Sequence, residues 1–167
     1  MTPPIRSQRG FTLIEIIVSL VLLGLLGATV FGFMGQAVRG FFIARDALEI
    51  TQKAQIALNR MRIELTYLKS VSASSDTSLS FVSIITGVDT TYAIAYDAST
   101  DSITWNGVTL TDDVGGLTFA YYDEPGGTAS SSFQSTTKLI GITLVMQDSD
   151  GATVTFATSV FPGKISL

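Results

Sequence analysis

Residues 16–38 contain no Asp, Glu, Lys or Arg, and this uncharged run of 23 residues decides most of what the chain can become. At 1.5 Å of rise per residue it is long enough to cross about 30 Å of hydrocarbon as a helix. A cleaved secretory signal has an apolar stretch of only about 7–15 residues followed by a small-residue site. Here the small residue, Gly10, stands in front of the run. One acid, Glu15, sits at the start of the apolar stretch. A carboxylate at membrane depth costs roughly 2.5–3.5 kcal/mol on insertion scales, so its presence asks for a reason. Arg6 and Arg9 favour a cytoplasmic N-terminus, a bias that Arg39 and Arg45 beyond the run weaken without reversing. The sequence predicts a membrane anchor with an exported body.

The charge of the chain is split. Residues 1–70 hold eight Lys/Arg against four Asp/Glu, a balance of +4, and residues 71–167 hold two Lys against ten acids, a balance of −8. A body at that charge repels phosphate, which argues against nucleic acid as its partner. There is no Cys and no His. Thiol nucleophiles, disulfides, Cys/His zinc sites and the usual general base near neutral pH are therefore excluded, and no cofactor is expected. The body must stand by burial alone.

Inside the apolar run, Gly24, Ala28 and Gly32 fall at four-residue spacing on one stripe. Small residues so spaced let helix backbones approach closely in lipid, although Gly is also simply commoner in membrane helices. Gly weakens a helix by up to about 1 kcal/mol in water, so bending or melting is expected around Gly32 and Gly35.

The segment "RGFTLIE" (Arg9, Gly10, Phe11, Thr12, Leu13, Ile14, Glu15) resembles, in register, the cleavage and methylation motif of type IV prepilins and type II secretion pseudopilins. The resemblance implies that a prepilin peptidase cuts after Gly10 and methylates the new N-terminus at Phe11. Glu15, fifth after the cut, would be the acid typical of that family. The implied partners are the peptidase, other minor and major pilins or pseudopilins, an inner-membrane assembly platform and membrane lipid. Gly32 stands where major pilins frequently have Pro, and the Cys pair common in them is missing, which points to a minor subunit. The body is similar, more loosely, to J-type minor pseudopilins and W-type minor pilins, through "LNRMRIEL", "WNG" and "LTFAYYDEPG".

Physical reasoning about Glu15 agrees with this. Cutting after Gly10 would give Phe11 a free amine, and Glu15 would lie about 6 Å further along a straight helix. The amine of a neighbouring subunit displaced by a similar distance could meet it, so the cost of the buried charge would be relieved only in the assembly. The bland alternative is a Glu that snorkels to the membrane interface.

Beyond Arg39, residues Phe41, Ala44, Leu48, Thr51, Ala54, Leu58, Met61, Leu65 and Leu68 step by three and four. With no Pro between Phe11 and Lys69, a helix of about 55–60 residues, on the order of 85 Å, is expected. Its stripe would pack on the body, the lesser reading being a coiled-coil partner. Residues 70–78, "SVSASSDTS", read as a polar linker. Strands follow at 79–85 and 90–96, then at "SITWNGVTL", at 117–122, and in a hairpin of 139–146 with 152–160. Asn106 and Gly107 ask for a two-residue type I′ turn, which would set Trp105 opposite Val108 and Ile103 opposite Leu110. The expected fold class is α+β, pilin-like: a long N-terminal helix packed on an antiparallel β-rich body. Its divisions are a leader (1–10), a membrane helix (11–38), an amphipathic stalk (39–69), a linker (70–78) and the β body (79–167).

Asp112 with Asp113, Asp123 with Glu124, and Asp148 with Asp150 could offer oxygen ligands to Ca²⁺, but they lack a calcium loop's full spacing and read better as solvated turns. A Ser hydrolase lacks its base, and Lys138 and Lys164 stand in no motif. The 15 residues 123–137 have no structural pattern; disorder and a contact surface around Phe133 are both open. The expected function is therefore a non-enzymatic minor filament subunit. The competing class is a signal-anchored periplasmic binding or adhesin-like module that keeps residues 1–10.

Overall fold

A computed structural model describes residues 10–85, 87–148 and 150–163 of the chain. One helix, α1 (Leu13–Thr66, 54 residues), is followed by eight strands. The chain divides into two compact units at Arg45/Asp46.

In the first unit α1 is apolar and its side chains are exposed, with no residue of 13–45 buried. The helix runs unbroken through Gly32 and Gly35, contrary to the melting expected there. Intact i→i−4 bonding across the neighbouring residues outweighs a per-residue penalty of about 1 kcal/mol.

In the second unit the remainder of α1 packs on two antiparallel sheets. The first has the order β1-β2-β3-β4-β5, from β1 (Leu68–Ser74), β2 (Ser78–Ser83), β3 (Thr90–Asp97), β4 (Ser102–Trp105) and β5 (Val108–Thr111). The second is β6-β7-β8, from β6 (Val114–Tyr122), β7 (Leu139–Gln147) and β8 (Thr153–Val160). Strict alternation sends Ile140, Ile142, Leu144 and Met146 of β7 inward, onto a core shared with Phe81, Ile94, Ile103, Leu117 and Phe119. From the helix come Ile50, Ala54, Ala57, Leu58, Met61 and Leu65. Each large apolar side chain so buried contributes roughly 1.5–3 kcal/mol, which is what holds a body without disulfides. This is the α+β, pilin-like architecture expected.

Four expectations need correction. The helix stripe holds only from Ala54 onward: Phe41, Ala44 and Leu48 are exposed, while Ile50, Ala57 and Glu64 are buried. The supposed linker is largely β1, whose Val71 packs against the core and pairs with Phe81; only residues 75–77 turn the chain. In the hairpin, Trp105 does pair with Val108, and Asn106 and Gly107 take φ of 53° and 78°, as a type I′ turn requires. A bulge then sets Ile103 opposite Thr111 rather than Leu110. Finally, residues 123–137 are tied down. Ser130 exchanges both backbone hydrogen bonds with Tyr121, Ser74 Oγ accepts the Phe133 N–H at 2.8 Å, and the Phe133 ring meets Tyr121 edge-on at 6.0 Å. Phe133 is the anchor of this loop.

Candidate assembly site at the start of the helix

Gly10 and Phe11 precede α1 and are exposed, Phe11 at 78%. Thr12 stands at the N-cap: its carbonyl accepts the N–H groups of Glu15 (3.1 Å) and Ile16 (3.3 Å), and its Oγ1 lies 3.4 Å from the Glu15 nitrogen. Thr12 and Glu15 thus have the T-x-x-E spacing of a capping box, with the acid in the first turn, where the unpaired N–H groups favour negative charge. The signal was present in "TLIE" and the sequence reading passed over it. Glu15 therefore has a local role at the helix start whatever it meets in an assembly. Ser19 Oγ donates back to the Glu15 carbonyl at 2.7 Å. Phe11, Glu15, Ile16, Ser19, Leu20 and Leu23 line one side of a shallow, mainly apolar groove of about 310 Å³. One carboxylate set in an apolar helix surface is an arrangement that can receive an apolar helix bearing a cation.

The structure leaves Gly24, Ala28 and Gly32 exposed, and a Cβ added at Gly24 or Gly32 would meet nothing within 4 Å. Among the described residues of the first unit, none packs against that stripe. The helix is long and apolar enough to cross a membrane, and none of its most apolar window is buried. Arg6, Arg9 and the other residues before Gly10, the expected leader, lie outside the described residues, as do Thr86, Ser149 and Lys164.

Of the acids read as solvated turns, Asp112, Asp113, Asp123 and Asp148 have partners within the body. Lys53 Nζ lies 2.8 Å from Asp112 Oδ1, 2.6 Å from Asp113 Oδ2 and 3.3 Å from Glu49 Oε1. The carboxylates hold the Lys53 ammonium well above its ordinary range, and its hydrogen bond holds the Asp112 carboxyl below its own. Asp123 accepts the Thr136 hydroxyl, and Asp148 Oδ1 accepts the N–H groups of Asp150 and Ala152, closing the last hairpin. One ionic feature was not foreseen. Glu64, only 2% exposed, bonds Arg60 at 3.1 Å, and the Arg60 guanidinium lies 5.3 Å from the centre of the Trp105 ring.

Residues 5–31 match the family model described as the prokaryotic N-terminal methylation motif. No curated protein matches the chain. The motif is that of type IV pilin-like precursors, substrates of a prepilin peptidase, and it covers residues just before α1 and the first part of that helix. That family consists of structural subunits, and the apolar helix fits the membrane anchor they use.

Proposed function

We propose that the chain is a minor pilin or pseudopilin, a structural subunit of a type IV pilus-like or type II secretion filament. The prepilin peptidase cuts after Gly10 and methylates Phe11. The subunit waits in the inner membrane with its N-terminus cytoplasmic and its acidic body periplasmic, then leaves the lipid by packing its helix among those of other subunits on the assembly platform. Gly24, Ala28 and Gly32 provide the close helix approach, and Glu15 provides the charge that a neighbour's N-terminal amine neutralises. No enzymatic step is assigned to it. The observation that carries this reading is the methylation motif at 5–31 running into an apolar helix with no buried residue before Asp46. The absence of Cys, and Gly rather than Pro at position 32, favour a minor subunit within the family.

Glu15→Val tests the assignment. Removing the carboxylate lowers the cost of the monomer in lipid and deletes the contact that rewards assembly. The variant should reach the membrane at least as well as the parent and cross-link poorly to the helices of other subunits. If it is processed and cross-links as well as the parent, Glu15 serves only the helix cap and the interface.

A further inference from the structure

Among the described residues the two sheets have four edges, and three of them are occupied or broken. Along β6 the N–H groups of Val114, Phe119 and Tyr121 go to the carbonyls of Asp101, Asp76 and Ser130. β1 carries two register shifts and Lys69, and β5 has only four residues beside a further shift. β8 is different. Its eight residues pair with β7 without a shift, and residues 151–161 contain neither a charged side chain nor Pro. Natural edges are usually blunted by bulges, charges, Pro or short length, because a bare one pairs readily with another strand. The hydrogen bonds show which groups are free. Asp148 donates its N–H to the Ala152 carbonyl and Gln147 to the Asp113 carbonyl, so the even residues of β7 turn toward β8 and the odd ones away from it. Their partners in β8 are the even residues from Val154 to Val160, which give their backbone groups to β7. Thr153, Thr155, Ala157 and Ser159 therefore direct four N–H and four C=O groups outward. All four residues are exposed, and no described strand or bridge pairs with that side of β8.

The inner face of the same strand is incompletely covered. Val160 is buried, Phe156 is half-buried against the core, and Val154 is 47% exposed. We propose that the outer edge of β8 receives an extended segment of another protein, as a fourth strand of the second sheet. The row of backbone groups selects an extended chain, and the alternation of β8 selects its sequence. Apolar side chains belong on the face shared with Val154 and Phe156, and small or polar ones beside Thr155 and Ala157. Charge disfavours a second copy of this chain in that place. Residues 71–167 balance at −8, and Asp150 stands exposed at the turn that opens β8, so two such bodies repel each other. The partner segment is neutral or basic. Such an edge is available equally to a filament subunit and to an anchored module that does not polymerise.

The probe is a short peptide of alternating Thr and Val with Arg at both ends, N-methylated along one edge so that it cannot stack on itself. It is added to the isotopically labelled full-length chain in detergent micelles, and the exchange of single amides is followed by NMR. The N–H groups of Thr153, Thr155, Ala157 and Ser159 should exchange about tenfold more slowly at saturation. Those of Phe156 and Thr158, already bonded to β7, should change little. Ala157→Pro removes one outward donor at an edge position, where Pro is tolerated, and should weaken peptide binding about tenfold. A peptide methylated along both edges keeps its side chains but has no free donor, and should protect none of the four. Unaltered exchange at about 1 mM of the one-edged peptide would overturn the proposal. Equal protection by the doubly methylated peptide would also overturn it, since side chains alone would then make the contact. So would protection that grows with the protein's own concentration before any peptide is added, which would give the edge to a second copy.

Discussion

Lys53 on α1 reaches Asp113, between β5 and β6, at 2.6 Å, and so pins the helix to the loop that leads from one sheet into the other. Asp113 is held at φ 58°, a conformation that L residues seldom adopt, and its carbonyl accepts the Gln147 N–H at 2.8 Å. The lysine therefore neutralises two adjacent acids and steadies a strained backbone.

Lys53→Met should lower the free energy of unfolding by about 1 kcal/mol, a modest figure because the carboxylates are more than half exposed. The pH dependence follows from the shifts. Asp112 is held below its ordinary value of 3.8, so its contribution is present above pH 3.8 and is lost as pH falls further. Lys53 is held above its ordinary value of 10.5, so its contribution is full below pH 10.5 and is lost as pH rises through the folded value. Urea titrations of parent and variant should differ steadily between about pH 4 and pH 10 and converge on the acid side.

Arg60→Ala leaves Glu64 buried without its ion pair, and Glu64 Oε2 already has no hydrogen-bond partner among the described residues. Breaking a fully buried pair costs about 3–5 kcal/mol, and the half-exposed arginine brings the expected loss to roughly 2 kcal/mol. Adding Glu64→Gln should recover part of it. Trp105 is the single tryptophan of the chain, so its emission reports the same change directly. A variant as stable as the parent, with unchanged emission, would show that the pair contributes little.

Gly163 donates its N–H to the Thr66 carbonyl at 3.0 Å, satisfying an orphan acceptor at the C-terminus of α1. A Cβ there would stand 2.8 Å from that oxygen. Gly163→Ala should destabilise the body by about 1–3 kcal/mol, read as a lower melting temperature, whereas Gly107→Asn should be mild because Asn tolerates the turn's positive φ.

These contacts also show what sequence could and could not disclose. The Asn106-Gly107 turn was legible because few dipeptides accept positive φ twice, but one extra residue in β5 is invisible to a period-two pattern. The helix stripe failed toward its start because steps of three and four that average below 3.6 drift around the helix; residues near Phe41 and Leu48 end up on the opposite face from Met61. β1 reads as a linker because it is rich in Ser. As an edge strand it needs only Leu68 and Val71 to hold it inward. The Arg60–Glu64–Trp105 cluster depends on a contact between residues 45 positions apart that no local pattern encodes. By contrast, the methylation motif and the apolar run are local and were legible, and the Thr12–Glu15 cap, equally local, could have been read from "TLIE".

The central claim is that Gly10 marks a cut and Phe11 a methylated terminus. The most direct test is the intact mass and N-terminal fragment spectrum of the full chain, isolated from membranes of cells that make a prepilin peptidase. We expect a chain beginning at N-methylated Phe11, and retention of the leader when Gly10→Val puts a branched side chain at the cut. Native chain that keeps residues 1–10 in those membranes would contradict the account and leave an anchored module that does not polymerise.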